Sequence, residues 1–579
     1  MPTLTIDNRA IPFELGETIL QVASRAGIAI PTLCNLDGIE PPTSCYVCVV
    51  KIKGKNNMAP SCATFAEDGM ILESSSEEVR GYRRRALELL MSEHAGDCEG
   101  PCQRICPADL DIPVMAKHIV EGNLDAAVRT VRERLALPGV LGHICPAPCQ
   151  KGCVRVQADG AVAIRELHKG VAEAASMNST ATGPRLAPSS GKRVTIIGAG
   201  PAGLSSAYYL SLLGHTCTIV DEREAPGGML RYGIDRAVLP LNILDQEIDV
   251  IRSLGVEFRM GCKISDQRSL DELIQHSDAI IFATGTQTSD QPWPFAIKAS
   301  PKGIAVDAQT FASSSNNIFA CGGAIAVCKM AVRAVGQGRQ TAESVHLFLT
   351  HSKAGATWSS RFDSRLGKQC ECELNRLVST DLAHSMEGHA LSWPMPETDV
   401  TEHVPPATFP ASLAAAAGRC LQCDCGKKLA CSLRTYAHEY EINRDQYRSG
   451  ARKDVVRKRF ASGLVHEPGK CIDCGRCIGI TAAEHVQPGL AFGNRGFDVA
   501  VKAPFSADMD TAMGPTLERC IAACPVGALW SEAGCCGNGT DGTYETNGTY
   551  EDGALGHTSH ESHKSPTSHS PLASTGGTL

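Results

Sequence analysis

Residues 92–107 read SEHAGDCEGPCQRICP and set His94, Cys98, Cys102 and Cys106 at intervals of four. Imidazole and thiolate are borderline and soft donors, suited to a transition metal. A second run, HICPAPCQKGC, spaces Cys145, Cys149 and Cys153 in the same way. Cys420, Cys423, Cys425 and Cys431 crowd into RCLQCDCGKKLAC; Cys471, Cys474 and Cys477 fill KCIDCGRC, with Cys524 in a later CPVGAL. Near the start, Cys34, Cys45, Cys48 and Cys62 are separated by ten, two and thirteen residues. The chain has 27 cysteines, and MPTLTIDNRAIPFELG lacks the charged and apolar regions of a secretion signal. Tight C-x2-C and C-x3-C groups in such a chain favour metal over disulfide, and a reducing cytoplasm is the expected compartment.

A different chemistry is written in RVTIIGAGPAGLSSAYYLSLLGHTCTIVDE. An apolar strand runs into Gly198, Gly200 and Gly203, then a helix, then a strand ending in Asp221. The glycines allow a tight turn and close approach of a pyrophosphate to the helix N-terminus, and the acid suits ribose hydroxyls. No P-loop, Ser/His/Asp set or zinc-protease motif competes.

These residues need several modules to hold them. At 579 residues the chain is long enough for three to five domains, and its net charge of −8 gives no basic footprint for nucleic acid or an anionic membrane. No segment reads as a membrane span, so direct membrane insertion is not expected. The expected fold is multidomain, α+β and α/β. Residues 1–77 form a β-grasp ferredoxin-like module, 78–185 a helical di-cluster domain, and 190–350 a Rossmann-like domain. Residues 351–418 are a linker, 419–532 a cysteine-rich ferredoxin-like domain, and 533–579 a Gly/Ser/Thr-rich tail expected to be disordered.

The first module, IPTLCNLDGIEPPTSCYVCVV…PSCAT, resembles plant-type [2Fe–2S] ferredoxins, and more closely the N-terminal module of the large iron–sulfur subunit of respiratory complex I and related hydrogenase and formate dehydrogenase subunits. The resemblance implies that Cys34, Cys45, Cys48 and Cys62 hold one [2Fe–2S] cluster. CP…DIP and CPAPCQKGC resemble the helical domain of the glutamate synthase small subunit and dihydropyrimidine dehydrogenase, which holds two [4Fe–4S] clusters with interleaved ligands. Carried over, His94, Cys98 and Cys102 share one cluster with Cys153, while Cys106, Cys145 and Cys149 share the other with one non-cysteine ligand. After the step IREL that ligand is His168, with Glu166 competing. The family's C-x2-C-x4-C-x3-CP has here become H-x3-C-x3-C-x3-CP, and LLMSEHAGDC resembles instead the His-ligated segment of complex I. Imidazole for thiolate removes a negative charge and raises a cluster's potential.

APGGMLRYGID and IIFATGT resemble the FAD segments of the same glutamate synthase family, which makes the dinucleotide FAD. Gly227, Gly228 and Arg231 would then lie along the flavin and Gly322 and Gly323 at its pyrophosphate and ribityl chain, although the family has Asp where Gly323 stands. That family also inserts an NADPH-binding Rossmann unit between ATG and IFA; here Gly285 and Ile318 are 33 positions apart, too few for such a unit. Cys471, Cys474, Cys477 and Cys524 resemble the complex I subunit again, implying a third [4Fe–4S] cluster, with Cys520 spare. Cys420, Cys423, Cys425 and Cys431 suit a fourth [4Fe–4S] cluster, a zinc ion, or metal binding by some of the thiols only. Cys370 and Cys372 have no assigned role, and Cys217, Cys262, Cys321 and Cys328 read as core or flavin-side thiols.

The implied function is an iron–sulfur flavoprotein subunit passing electrons between clusters and FAD inside a larger complex. Its partners would be a dehydrogenase or hydrogenase catalytic subunit, a diaphorase-type subunit or a ferredoxin. The alternatives are an autonomous NAD(P)H-dependent oxidoreductase and a cluster-carrying scaffold with a vestigial flavin fold.

Overall fold

Short alternating strands at the N-terminus demand a partner for their apolar face, and one helix supplies it. The computed structural model describes residues 1–177, 185–286, 294–315, 317–351, 362–367, 369–384, 409–448 and 452–532. Strands β1 (Thr3–Ile6) and β2 (Arg9–Pro12) form a hairpin turning at Asp7 and Asn8, both at positive φ. Helix α1 (Ile19–Arg25) precedes β3 (Val49–Ile52), β4 (Met58–Pro60) and β5 (Ile71–Glu73), and the sheet order is β2-β1-β5-β3-β4. Period-two alternation sends Leu4, Ile6, Val50, Ile52 and Leu72 into one core with Ile19, Val22 and Ala23 of α1. Thr18 starts α1 with a reciprocal cap: its hydroxyl accepts from the Gln21 N–H, and the Gln21 side chain accepts from the Thr18 N–H at 2.8 Å. Thr18→Ala is expected to lower the stability of this module by about 1 kcal/mol, read as earlier loss of hydrogen-exchange protection across 19–25.

Helix α2 (Glu77–Glu93) leads to the short helices α3 (Pro101–Ile105), α4 (Ile112–Val120), α5 (Leu124–Arg132), α6 (Pro138–Ile144) and α7 (Pro148–Lys151), and to α8 (Ile164–Met177). Several of these begin with proline in the first turn, where its missing N–H costs no hydrogen bond. Their apolar faces continue without a break into the next domain, so Met115, Val128 and Leu141 share a core with Ile196, Leu204 and Tyr208. A buried ion pair pins the seam: Arg132 Nη1 lies 2.8 Å from Glu247, whose other oxygen accepts the Gly139 N–H at 2.8 Å.

The dinucleotide-type domain comprises β6 (Arg193–Ile197), α9 (Pro201–Leu212), β7 (Thr216–Asp221), α10 (Met229–Tyr232), α11 (Leu241–Ser253), β8 (Glu257–Met260), α12 (Gln267–Gln275) and β9 (Ala279–Phe282). After the hairpin β10 (Ala299–Ser300) and β11 (Gly303–Ile304) come β12 (Ile318–Ala320) and α13 (Ala331–His351). The sheet is parallel throughout, in the order β12-β9-β6-β7-β8, with helices between consecutive strands from β6 to β9 as parallel crossovers require. Between β9 and β12 the described residues hold only the hairpin and no helix.

The expected linker is, where described, packed structure. Ser364 and Leu366 are buried, and α14 (Glu371–His384) and α15 (Ala411–Gly418) follow. Helix α15 lies against the helical domain, where a Cβ on Gly170 would come within 2.5 Å of Leu413. The last part contains α16 (Ser432–Glu439), β13 (Lys458–Arg459), β14 (Leu464–His466), α17 (Arg476–Ala483), the hairpin β15 (Ala491–Gly493) and β16 (Ala500–Lys502), α18 (Met509–Met513), α19 (Leu517–Ala523) and β17 (Leu529–Ser531). Strands β13, β14 and β17 form an antiparallel sheet. The tail expected to be disordered lies outside the described residues, and among those described no helix is long and apolar enough to cross a membrane.

Candidate metal and dinucleotide sites

The loops around β3 bring Cys34, Cys45, Cys48 and Cys62 together, all buried, with Cys48 Sγ 3.4 Å from Cys62 Sγ. Hydrogen bonds among the thiols drive Cys34 and Cys48 toward thiolate and Cys45 and Cys62 the other way. Four thiols within reach of one another suit a small cluster, since metal cations replace the protons that neutral thiols otherwise keep.

Cys471, Cys474, Cys477 and Cys524 line a second enclosed space beneath β14 and β17. Burial pushes the Cys474 thiol up to about 12, and Cys524 adds to the shift. Cys34 is also near enough to be felt there, so this set adjoins the N-terminal one. Cys520 is buried against the Cys477 carbonyl.

Between these modules, thiols of the set His94, Cys98, Cys102 and Cys153 have neighbours from the run Cys420, Cys423, Cys425 and Cys431. Cys102 and Cys153 line a common cavity with Cys420 and Cys423. Burial holds Cys102 and Cys423 well above the usual thiol range, and each feels other members of that set as charged neighbours. Cys98 faces Cys425 and Cys431 instead: burial pushes both Cys98 and Cys431 up to about 12, with Cys425 among the neighbours of each. The Cys425 N–H donates to the Cys98 carbonyl at 3.3 Å. His94 is buried beside Lys470, whose carbonyl lies 3.2 Å from Nδ1. With Nδ1 donating, Nε2 is left as the acceptor, the arrangement in which histidine ligates metal. Among the described residues no three His, Cys, Asp or Glu side chains converge closely enough for a single metal ion.

Cys106, Cys145 and Cys149 form a further group, in which burial pushes Cys149 up to about 12 and Cys106 and Cys145 contribute. Of the two competing fourth members, His168 is buried on α8 with Nδ1 lacking any hydrogen-bond partner. Glu166 is half exposed and paired with Arg165 at 3.2 Å. An orphaned lone pair fits a ligand; a solvated carboxylate spent on arginine does not.

In the dinucleotide-type domain, Gly198 has φ +114°, and a Cβ there would lie 2.4 Å from the Ala283 carbonyl oxygen. A Cβ on Gly203 would lie 1.9 Å from the Gly198 oxygen, so this glycine lets α9 close on the turn. Gly200 has open space around its Cβ direction, at the start of a twelve-residue helix with free N–H groups. Asp221 accepts the Ala199 N–H at 2.6 Å and the Arg223 N–H at 2.8 Å, which fixes its carboxylate at the mouth of the turn. Gly228 backs onto Gly200, and Gly227 has φ +127°. This cradle fits a dinucleotide. Arg231, expected along the flavin, donates to the Pro226 carbonyl at 2.6 Å and pairs with Asp245.

Gly322 and Gly323 follow β12, and a Cβ on Gly323 would sit 2.7 Å from the Thr286 nitrogen. The backbone of 285–286 therefore occupies the space an aspartate would need. Gly323→Asp is expected to destabilise the domain by roughly 1–3 kcal/mol and lower its flavin content, measured by unfolding and absorbance. Cys217 and Cys321 are buried as expected, but Cys262 is exposed at the end of β8, and Cys370 and Cys372 are exposed near the start of α14. Sequence reasoning missed Ser364, Arg434 and Lys470, which contact or lie beside Cys98 and Cys425 and carry no motif.

Residues 1–77 match the family of 2Fe-2S iron–sulfur cluster binding domains, 76–180 the dihydropyrimidine dehydrogenase domain II, 4Fe-4S cluster, family, and 168–338 the pyridine nucleotide-disulphide oxidoreductase family. The chain is 37% identical over 205 residues to the NADPH-Fe(3+) oxidoreductase subunit beta of Geobacter sulfurreducens, covering 35% of this chain and 30% of that one. It is 38% identical over 212 residues to the NADP(+)-dependent formate dehydrogenase subunit beta of Moorella thermoacetica, covering 33% and 30%. The NAD-dependent dihydropyrimidine dehydrogenase subunit PreT of Salmonella typhimurium is 34% identical over 225 residues, covering 38% and 54%. The chain thus spans about a third to half the length of these relatives. It is multidomain, combining 2Fe–2S and 4Fe–4S domains with a Rossmann-like oxidoreductase domain, as the resemblance implied.

Proposed function

We propose that this chain is the electron-transfer subunit of a larger redox complex, an iron–sulfur flavoprotein linking FAD to a partner's redox centre. The observation that carries the reading is the continuity of the thiol sets. The N-terminal set adjoins the set at Cys474, whose own segment reaches His94 through Lys470. Cys98 is followed four residues later by Cys102, which feels Cys149 of the next group. Cys106 ends that group, and a Cβ on Gly336 of α13 would lie 2.3 Å from the Pro107 carbonyl oxygen, so the group abuts the dinucleotide fold. Bound in these places, iron–sulfur clusters would carry single electrons and FAD would exchange them in pairs. The protein's share is to hold the sites in sequence and bury them. The β-grasp reading of the first module is supported by its sheet order, and the helical di-cluster and ferredoxin-like readings by the thiol groups they contain. A place in a complex with a dehydrogenase catalytic subunit is supported by the subunit names of the relatives, while a hydrogenase, diaphorase-type or ferredoxin partner and a cytoplasmic setting rest on the sequence motifs.

The competing reading, an autonomous NAD(P)H-dependent oxidoreductase, needs a second nucleotide-binding unit, and among the described residues only a hairpin lies between β9 and β12. Stopped-flow mixing of the anaerobic, flavin-loaded protein with NADH or NADPH separates the two. Slow or absent flavin bleaching without a partner is expected, and bleaching within a catalytic timescale would overturn the proposal.

A further inference from the structure

Cys423 and Cys425 stand two residues apart, yet their side chains belong to different surroundings. Gln422 lies at φ +48°, and its side-chain amide donates to the Pro113 carbonyl at 2.9 Å. Arg419 donates to the Gly160 carbonyl at 2.9 Å, while Arg155 donates to the Arg419 carbonyl at 2.8 Å. Arg419 and Gln422 are thereby tied to residues 113–160 of the helical domain, while Arg457 holds the Leu421 and Gln422 carbonyls. From Cys425 onward the chain meets a different stretch of that domain and the C-terminal segment: the Cys425 N–H donates to the Cys98 carbonyl at 3.3 Å and Arg434 pairs with Glu99 at 2.5 Å. The Ser432 N–H donates to the Pro525 carbonyl at 2.9 Å, and Tyr440 at the end of α16 accepts from Arg83 of α2 at 3.1 Å.

We infer that the segment Cys420–Cys431 is shared between two [4Fe–4S] sites: Cys420 and Cys423 join Cys102 and Cys153 in one, and Cys425 and Cys431 join His94 and Cys98 in the other. The inference rests on the iron–sulfur reading above and assigns ligands that no motif spacing joins. The first set lines a single cavity. The second shows the polar surroundings that a buried thiolate cluster uses: the Ser364 N–H donates to Cys98 Sγ at 3.3 Å and the Arg434 N–H to Cys431 Sγ at 3.4 Å. A Cβ on Gly527 would lie 2.2 Å from Cys425 Sγ, so glycine keeps that sulfur's place open. The Lys470 carbonyl lies 3.2 Å from His94 Nδ1, and the Lys470 side chain borders the same Gly527 Cβ position as Cys425 Sγ, which puts the imidazole and the thiol in one neighbourhood. On ligation each thiol gives its proton to solvent, and iron and sulfide come from assembly or reconstitution. Ligands more than 300 positions apart in the chain then make each cluster a staple between the helical domain and the segment after residue 418.

The test uses the full-length protein purified anaerobically, with iron, sulfide and zinc counted and the dithionite-reduced state followed by EPR. Wild type should carry about eighteen irons, and a count of about fourteen or fewer would overturn the inference. Cys423→Ser should lose about four irons and the same EPR signal as Cys102→Ser. Cys425→Ser should lose a different signal, the one lost in Cys98→Ser. His94→Cys should keep all the iron and shift only that second signal to lower potential, because a thiolate adds negative charge. Should a serine variant misfold, His94→Cys and the wild-type iron count still decide. Loss of one common signal in Cys423→Ser and Cys425→Ser, or one zinc per chain with iron unchanged in Cys425→Ser, would overturn the assignment. If the [2Fe–2S] signal and bound flavin are missing as well, the underlying functional reading has failed instead.

Discussion

Glu467→Ala is expected to destabilise the C-terminal part of the chain by about 3–5 kcal/mol, the cost of leaving buried cations without their counter-charge. Glu467 is 8% exposed and lies 3.1 Å from Arg457 and 2.7 Å from Lys470, each also buried. Its second oxygen accepts the Trp530 indole N–H at 2.9 Å. The same carboxylate thus ties together β14, β17 and the segment leading to Cys471, while Arg457 holds the Leu421 and Gln422 carbonyls at 2.8 and 2.7 Å. Loss of hydrogen-exchange protection across 457–470 at pH 7 measures the effect, and unchanged protection would contradict it. The pH dependence has a definite sign. Burial alone would raise the Glu467 pKa, but Arg457 and Lys470 outweigh it and bring it to about 2, below the ordinary 4.5. A depressed carboxylate pKa gives stability that is complete above about 4.5 and lost as pH falls toward 2. The difference between wild type and Glu467→Gln should therefore narrow across that window, because protonated glutamate and glutamine carry the same charge.

How far the sequence reveals this molecule depends on how local each feature is. The cap at Thr18, the alternation of β1 and the turn from Gly198 to Gly203 involve residues close in the chain, and each is legible from spacing alone. The set Cys471, Cys474, Cys477 and Cys524 spans further, but most of its members sit on one loop and helix start, so a motif still describes it. The grouping of Cys98 with Cys425 and Cys431 has no such local signature. It depends on which surface the backbone meets on either side of Asp424, and that is settled by α15 on the helical domain and α16 beside α2. Spacing left open whether Cys420 to Cys431 hold one metal site together or bind metal only in part, since C-x2-C-x-C looks compact on paper. A positive φ at Gln422 and contacts with different stretches of the helical domain, Pro113 before Asp424 and Cys98 and Glu99 after it, separate them. The charged groups around these sulfurs were equally silent in the sequence: Arg434 pairs with Glu99 and Lys470 with Glu467, across gaps that no periodicity measures or by contacts that mean something only when buried.

The three glycines of the dinucleotide turn should respond to alanine in two distinct ways, although the motif treats them as equals. Gly198→Ala forces a side chain onto φ +114° and drives its Cβ to 2.4 Å from the Ala283 carbonyl oxygen. Strain of about 1–3 kcal/mol at such a backbone position adds to an overpacking cost of similar size. Gly203→Ala pushes α9 off the turn, since its Cβ would lie 1.9 Å from the Gly198 oxygen. Both variants should lose fold stability whether or not flavin is present. Gly200 differs: its φ of −79° and ψ of −177° are open to any residue, and no atom lies within 4 Å of the Cβ direction. Nothing in the protein itself requires glycine there, so the space is available to a group that approaches the helix N-terminus. Gly200→Ala should leave the unfolding of flavin-free protein unchanged within about 0.5 kcal/mol, as for a substitution without a steric or backbone penalty. Its flavin content after reconstitution should fall by tenfold or more, if the added methyl displaces a pyrophosphate contact worth about 1.4 kcal/mol. Equal flavin binding by wild type and Gly200→Ala would place the dinucleotide elsewhere, while equal destabilisation by all three substitutions would mean that the glycines serve packing alone.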